Sequence, residues 1–159
     1  MNPLQTTRLE TLPDALTFPV NLPSPRHRIL VVDDDVYVRE LNAGVLIRFG
    51  YYVDTAVDGV DAWRALHEDH YDLLITDEQM PWVTGLELIQ KLRAEAMVLP
   101  VILASGLPPV NDMDQLPALN IQALVTKPCT LAVLLQTVKS VLAGAEGRGA
   151  SQFLSKDTD

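Results

Sequence analysis

The chain has 159 residues, 48% of them hydrophobic, and carries 21 acidic against 12 basic side chains for a formal charge of −9. That length supports one domain with a sizeable core, and the acidic balance excludes the basic face that a nucleic-acid binder needs. No apolar run is long enough to span a membrane, no secretory leader pattern opens the chain, and the lone cysteine, Cys129, cannot form an internal disulfide, so a reducing cytoplasm is expected.

Residues 1–26 contain Pro3, Pro13, Pro19, Pro23 and Pro25 with no sustained period, and read as an irregular or disordered arm. Its Leu12, Leu16 and Phe18 are either plain tail or a docking segment. From Arg28 the pattern changes. Ile29 to Val32 is a short apolar, β-branched run of strand length, followed at once by Asp33, Asp34 and Asp35. Val38, Leu41, Val45, Leu46 and Phe49 then recur at helical spacing, and Gly50 supplies a stop. Tyr51 to Ala56 reads as a second strand. Asp58 can cap a second helix with Val60, Trp63 and Leu66 on one face.

Leu73 to Ile75 is the next buried run, and it ends on Asp77. A loop must follow, because Pro81 lacks an amide hydrogen and biases Met80 towards extended geometry. Thr84-Gly85-Leu86-Glu87 is a capping box that opens a helix reaching about Ala96, with Leu88, Ile89 and Leu92 as its buried stripe. Val101 to Ala104 is a fourth strand ending on Ser105-Gly106. Pro108, Pro109 and Pro117 leave room only for a short or irregular helix around residues 112–119. Ala123 to Thr126 is a fifth strand ending on Lys127-Pro128. Thr130 caps the last helix, with Leu131, Leu134, Leu135, Val138 and Leu142 at helical positions and Gly144 to close it. Residues 144–159 read as a disordered tail, too short for an output domain.

Five strand–helix alternations predict a three-layer α/β/α domain over residues 27–143, with parallel strands and right-handed crossovers. The flavodoxin-like strand order 2-1-3-4-5 places ligands at the carboxyl ends of the strands. On that rim the chain delivers Asp33 and Asp34, then Asp77, then Ser105, then Lys127. Carboxylates gathered there repel one another and raise at least one pKa. Mg2+ relieves the repulsion, since it takes oxygen ligands, few protein carboxylates and a phosphate. A lysine is redundant for holding the metal but suits an arriving phosphoryl group, and a hydroxyl followed by glycine adds a donor with open approach.

Val-Val-Asp-Asp at 31–34, Asp-x-x-Met-Pro-x-x-x-Gly at 77–85, Ser-Gly at 105–106 and Lys-Pro at 127–128 together resemble the receiver domain of bacterial two-component response regulators. The resemblance covers Arg28 to Leu142 and implies a phosphorylation-controlled signalling module rather than an enzyme, here of stand-alone type. It makes Asp77 the phospho-acceptor, charged from the phosphohistidine of a sensor histidine kinase or a histidine phosphotransfer protein. It implies Mg2+ held by Asp34, Asp77 and the backbone carbonyl of Gln79, with Asp33 acting through water. Ser105, Gly106 and Lys127 would hold the phosphoryl group, and the Lys127–Pro128 peptide would be cis. Output would pass by protein–protein contact or phosphorelay to a downstream protein that the sequence does not identify. No nucleic acid or membrane is implied, and a homodimer is compatible with the family.

The chain departs from the family pattern at several positions. The switch that couples Ser105 to the output face usually includes an aromatic ring three residues before the lysine, where this chain has Leu124; that leucine is either a repacking switch element or simply core. Gln79 occupies a position that, by resemblance, tunes the lifetime of the acyl phosphate. Glu78 is either a solvated loop charge or a rim carboxylate that slows an anionic donor. Trp82 either meets a partner kinase or covers the loop. Cys129 is read as packing, and His27, His67 and His70 as surface residues without ligand spacing. The alternative class is a haloacid-dehalogenase-like phosphohydrolase. Asp33-Asp34-Asp35-Val36 fits its Asp-x-Asp loosely, but the late acidic pair it needs is replaced by Ser105 and Lys127. A flavodoxin is excluded because Asp33 to Asp35 would repel the flavin phosphate.

Overall fold

A computed structural model describes residues 27–106 and 116–153, with side-chain surroundings given through residue 148. The arm at 1–26, the proline-rich stretch 107–115 and residues 154–159 lie outside the described residues, so the readings placed on them stay there. The elements run β1 (Arg28–Val32), α1 (Val36–Arg48), β2 (Tyr52–Ala56), α2 (Gly59–Glu68) and β3 (Leu73–Asp77). They continue with α3 (Gly85–Ala94), β4 (Val101–Ser105), α4 (Leu116–Leu119), β5 (Ala123–Thr126) and α5 (Leu131–Phe153). The strands form one parallel sheet in the order β2-β1-β3-β4-β5, as the alternation predicts.

Strand alternation divides the core between the two faces. Leu30, Val32, Leu74, Val101 and Leu103 point to the side covered by α2 and α3, where Leu88, Ile89 and Leu92 meet them. Ile29, Val31, Leu73, Ile75, Ile102 and Val125 point to the side of α1 and α5, against Leu46, Leu134, Val138 and Leu142. Each fully buried Leu or Ile here contributes about 1.5–3 kcal/mol of transfer free energy.

Register places the polar residues that follow the strands. Val32 pairs with Thr76, so Asp33 comes level with Asp77, and Asp77 pairs with Ala104. Ser105 pairs with Thr126, which puts Lys127 one step further along the same rim.

Helix ends follow local chemistry. Asp35 caps α1 by accepting from Tyr37 N at 2.9 Å and Val38 N at 3.2 Å. Gly50, at φ 92°, closes α1 as a Schellman pair, with Gly50 N bonded to Ile47 O and Tyr51 N to Leu46 O. The end of α3 repeats that pair with Ala96 N on Arg93 O and Met97 N on Leu92 O, although Ala96 sits at φ 57°. A Cβ in that region is disfavoured, so Ala96→Gly is expected to raise stability by about 1 kcal/mol, read as a higher urea midpoint with unchanged slope. The Arg93 guanidinium then ties the ends of two helices together, donating to the carbonyls of Met97, Leu99, Leu119 and Asn120.

Several expected faces are corrected. In α1 the buried residues are Ala43 and Leu46, whereas Leu41 and Phe49 are exposed. Apolar residues surround the whole of α1, so spacing alone did not choose its inner face. In α2, Val60 faces solvent and Gly59, Ala62 and Leu66 turn inward. Gly144 does not close α5, which runs on to Phe153, so the boundary expected at residue 144 falls inside the helix and residues 144–153 are not a disordered tail. A helix tolerates an interior glycine at about 1 kcal/mol, and no proline follows to break this one. The described part of the fourth helix is four residues long.

Candidate functional site

The carboxyl ends of β1, β3, β4 and β5 gather the polar residues predicted for them. Asp33, Asp77 and Ser105 are buried there, and Asp34 is exposed. One carboxylate oxygen from each of Asp33, Asp34 and Asp77 lies within 4.8 Å of the others. Lys127 reaches across with its ammonium 2.8 Å from Asp33 Oδ2 and 3.0 Å from Asp77 Oδ1. The Lys127–Pro128 peptide is cis. Gly106 stands next to Ser105 with open space where a side chain would project.

Each member is held by its neighbours. Asp33 Oδ1 accepts from Asp35 N at 2.9 Å, while its own carbonyl accepts from Arg39 Nη1 at 2.7 Å. The Asp77 carbonyl accepts from Thr76 Oγ1 at 3.0 Å. A Cβ built on Gly85 would collide with that same carbonyl oxygen, with Leu103 and with Glu78 Cα, so the start of α3 approaches the end of β3 as only glycine allows. Gly85→Ala is therefore expected to destabilise the domain by about 1–3 kcal/mol in denaturant unfolding.

Burial pushes the Asp77 carboxyl up. The hydrogen bond and charge of Lys127 pull it back, Asp33 and Asp34 push it up again, and the net displacement is upward. For Lys127, burial lowers the ammonium, but its bonds to Asp33 and Asp77 outweigh burial and raise it. Both partners of this ion pair thus shift the same way, for different reasons. The lysine gains from the pair, whereas the carboxylate is dominated by desolvation and its acidic neighbours. The donor set is all oxygen and carries three formal negative charges beside one lysine, which fits a small hard divalent cation.

Sequence reasoning left Asp35 without a role, passed over Arg39 and gave Glu78 other readings. Asp35 carried a legible signal as the polar residue before a helix. Arg39 carried none, since its contact is with a backbone carbonyl. Glu78 is neither a free loop charge nor a rim carboxylate: its Oε2 accepts from Leu86 N at 2.8 Å at the start of α3. Leu124 is 52% exposed on β5, so the reading of it as core is corrected. Trp82 is exposed on the loop at φ 70°. His27 is partly buried and meets Glu146 at 3.1 Å, while His67 and His70 are exposed as expected.

Residues 29–139 match the family model described as the response regulator receiver domain. The chain belongs to that family. This receiver is 36% identical over 110 residues to the sensor histidine kinase RcsC of Escherichia coli, covering 69% of this chain and 12% of that protein. It is 36% identical over 117 residues to the response regulator RppA of Synechocystis, covering 72% of this chain and 50% of that protein. The chain thus corresponds to half or less of these curated relatives. Among solved structures, the response regulator TrrA of Thermotoga maritima, in complex with Mg(2+)-BeF, superposes with a TM-score of 0.64 at 32% identity. That superposition covers 72% of this chain and 98% of TrrA. The receiver fold is a phosphorylation-controlled signalling module, and the haloacid-dehalogenase alternative finds no support. Among the described residues no helix is long and apolar enough to cross a membrane.

Proposed function

We propose that this receiver accepts a phosphoryl group on Asp77 from the phosphohistidine of a sensor histidine kinase or a histidine phosphotransfer protein. The observation that carries the reading is the convergence of Asp33, Asp34 and Asp77 within 4.8 Å, with Lys127 bonded to two of them. Asp77 attacks phosphorus through a carboxylate oxygen. The P–N bond to the donor imidazole breaks, and its electron pair stays on that nitrogen. Asp34, Asp77 and the Gln79 carbonyl would hold Mg2+, with Asp33 acting through water. The cation's contribution is to neutralise charge on the transferring oxygens. Lys127 pairs with the same charge, and the Ser105 hydroxyl and Gly106 amide offer donors at the strand end. The protein's part is positioning and fixed electrostatics around a loose transition state.

In this reading the chain has no substrate turnover beyond gaining and losing its own phosphoryl group, and it acts in the cytoplasm. The signal leaves by protein–protein contact or by relay, with no nucleic acid engaged. A switch running from Ser105 towards Leu124 would lack an aromatic ring and leave a half-exposed leucine to move. Acetyl phosphate with Mg2+ is expected to add one phosphoryl group per chain, read by intact mass, and a chelator should abolish it. Absence of labelling with Mg2+ present would overturn the proposal. Catalytic release of phosphate from a small phosphomonoester, without a covalent adduct, would favour a hydrolase.

A further inference from the structure

The loop between β3 and α3 starts at the acceptor and carries Gln79, and its neck is closed by one residue. The carbonyl of Glu78 accepts from Gly85 N at 3.0 Å, and its carboxylate accepts from Leu86 N at 2.8 Å. A helix start leaves its first amides without partners inside the helix. At α3 these are fully accounted for. Thr84 N goes to Glu87 Oε2 and Glu87 N to Thr84 Oγ1, while Gly85 N and Leu86 N both go to Glu78. Half of the helix start is therefore bonded to the residue between Asp77 and Gln79.

The rest of the loop needs that anchor. Met80 is buried and fixes the far side of Gln79. Beyond it the chain makes a γ-turn, with Val83 N bonded to Pro81 O at 2.8 Å and Trp82 at φ 70° between them. A bulky residue in that region is strained, and Trp82 is 86% exposed, so packing against the described residues compensates little. A loop strained at its tip keeps one shape only if its neck is held.

We infer that Glu78 is a positioning residue for the divalent cation: by latching the loop to the start of α3, it fixes where the Gln79 carbonyl points. The inference rests on the proposed cation site at Asp77 and extends it to a residue that offers the cation nothing itself. A carboxylate suits the latch because it accepts strongly and complements the positive end of the helix.

Trp63 and Trp82 are the only tryptophans, so a Trp63→Phe background leaves Trp82 as a reporter within the loop. In that background Mg2+ is titrated against Trp82 fluorescence for the parent, Glu78→Ala and Glu78→Gln. Hydrogen exchange of residues 79–86 is followed without metal. Glu78→Ala is expected to weaken Mg2+ binding by roughly tenfold, as loss of a residue supporting a metal ligand typically does. Exchange at Leu86 should accelerate in the metal-free protein, and the Mg2+ needed for half-maximal labelling should rise by the same factor. Glu78→Gln keeps an acceptor oxygen and should stay within about twofold of the parent. Parent-like Mg2+ affinity in Glu78→Ala would overturn the latch, as would an equal loss in Glu78→Gln, which would mean charge rather than the bond matters. A parent protein that binds no Mg2+ would instead overturn the site reading, and the latch with it.

Discussion

Asp77→Asn is expected to take up no phosphoryl group from acetyl phosphate, a loss of at least about a thousandfold in labelling rate. The amide has no charged oxygen to attack phosphorus, and nothing beside it substitutes. Asp33 is bonded to Asp35 N and Lys127, and Asp34 lies on the exposed side of the cluster. Labelling that persists at the wild-type rate would remove Asp77 from the role given to it.

The same substitution should stabilise the metal-free fold at neutral pH, because burial holds the Asp77 carboxyl above the range of a free aspartate. The upward shift comes first from burial and then from Asp33 and Asp34, against the pull of Lys127. A carboxyl raised on folding holds its proton more tightly in the native state. Stability therefore falls as pH rises from the free-aspartate value through the native pKa, and the penalty is constant above it. Asn carries no such penalty. Urea unfolding in chelator should show the variant ahead at pH 7, with the difference closing as pH falls through the raised native value of Asp77 towards that of a free aspartate. A constant difference across that window would show that burial of this carboxylate is not what sets it.

Most of the site was readable because it lies where strands end, and strand ends are marked by apolar runs stopping at polar residues. Val32, Ile75, Ala104 and Thr126 each announce such a stop within two residues. The parallel sheet then brings the stops together without any further information. What failed depended on contacts that periodicity does not encode. Leu41 and Val60 fit a helical stripe, yet the buried positions are the small Ala43 and Ala62 together with Leu46 and Leu66. Glu78 bonds an amide eight residues on, across a loop, and no local pattern announces that. Gly144 resembles a stop, but a glycine ends a helix only when the chain turns left-handed there, as Gly50 does at φ 92°.

Lys127→Met is expected to damage stability and phosphoryl transfer together, and Mg2+ should separate the two effects. The ammonium sits 2.8 Å from Asp33 and 3.0 Å from Asp77, and its side chain is 27% exposed. Removing it leaves the three carboxylates without the ammonium that pairs with two of them. Breaking a fully buried pair costs about 3–5 kcal/mol, and partial exposure here reduces the expectation to about 2 kcal/mol in chelator. Lys127 is raised above 10.5, so its stabilisation is complete below that pH and is lost as pH rises through the native value. The gap between wild type and variant should therefore hold at pH 7 and narrow in strongly alkaline buffer. Saturating Mg2+ supplies the missing positive charge to the carboxylates, so most of the stability should return. It does not supply the second cation that meets the incoming phosphoryl oxygens, so labelling should stay reduced by about a hundredfold. Recovery of both with Mg2+ would mean that the lysine only balances the resting charge of the cluster; recovery of stability alone would tie it to transfer.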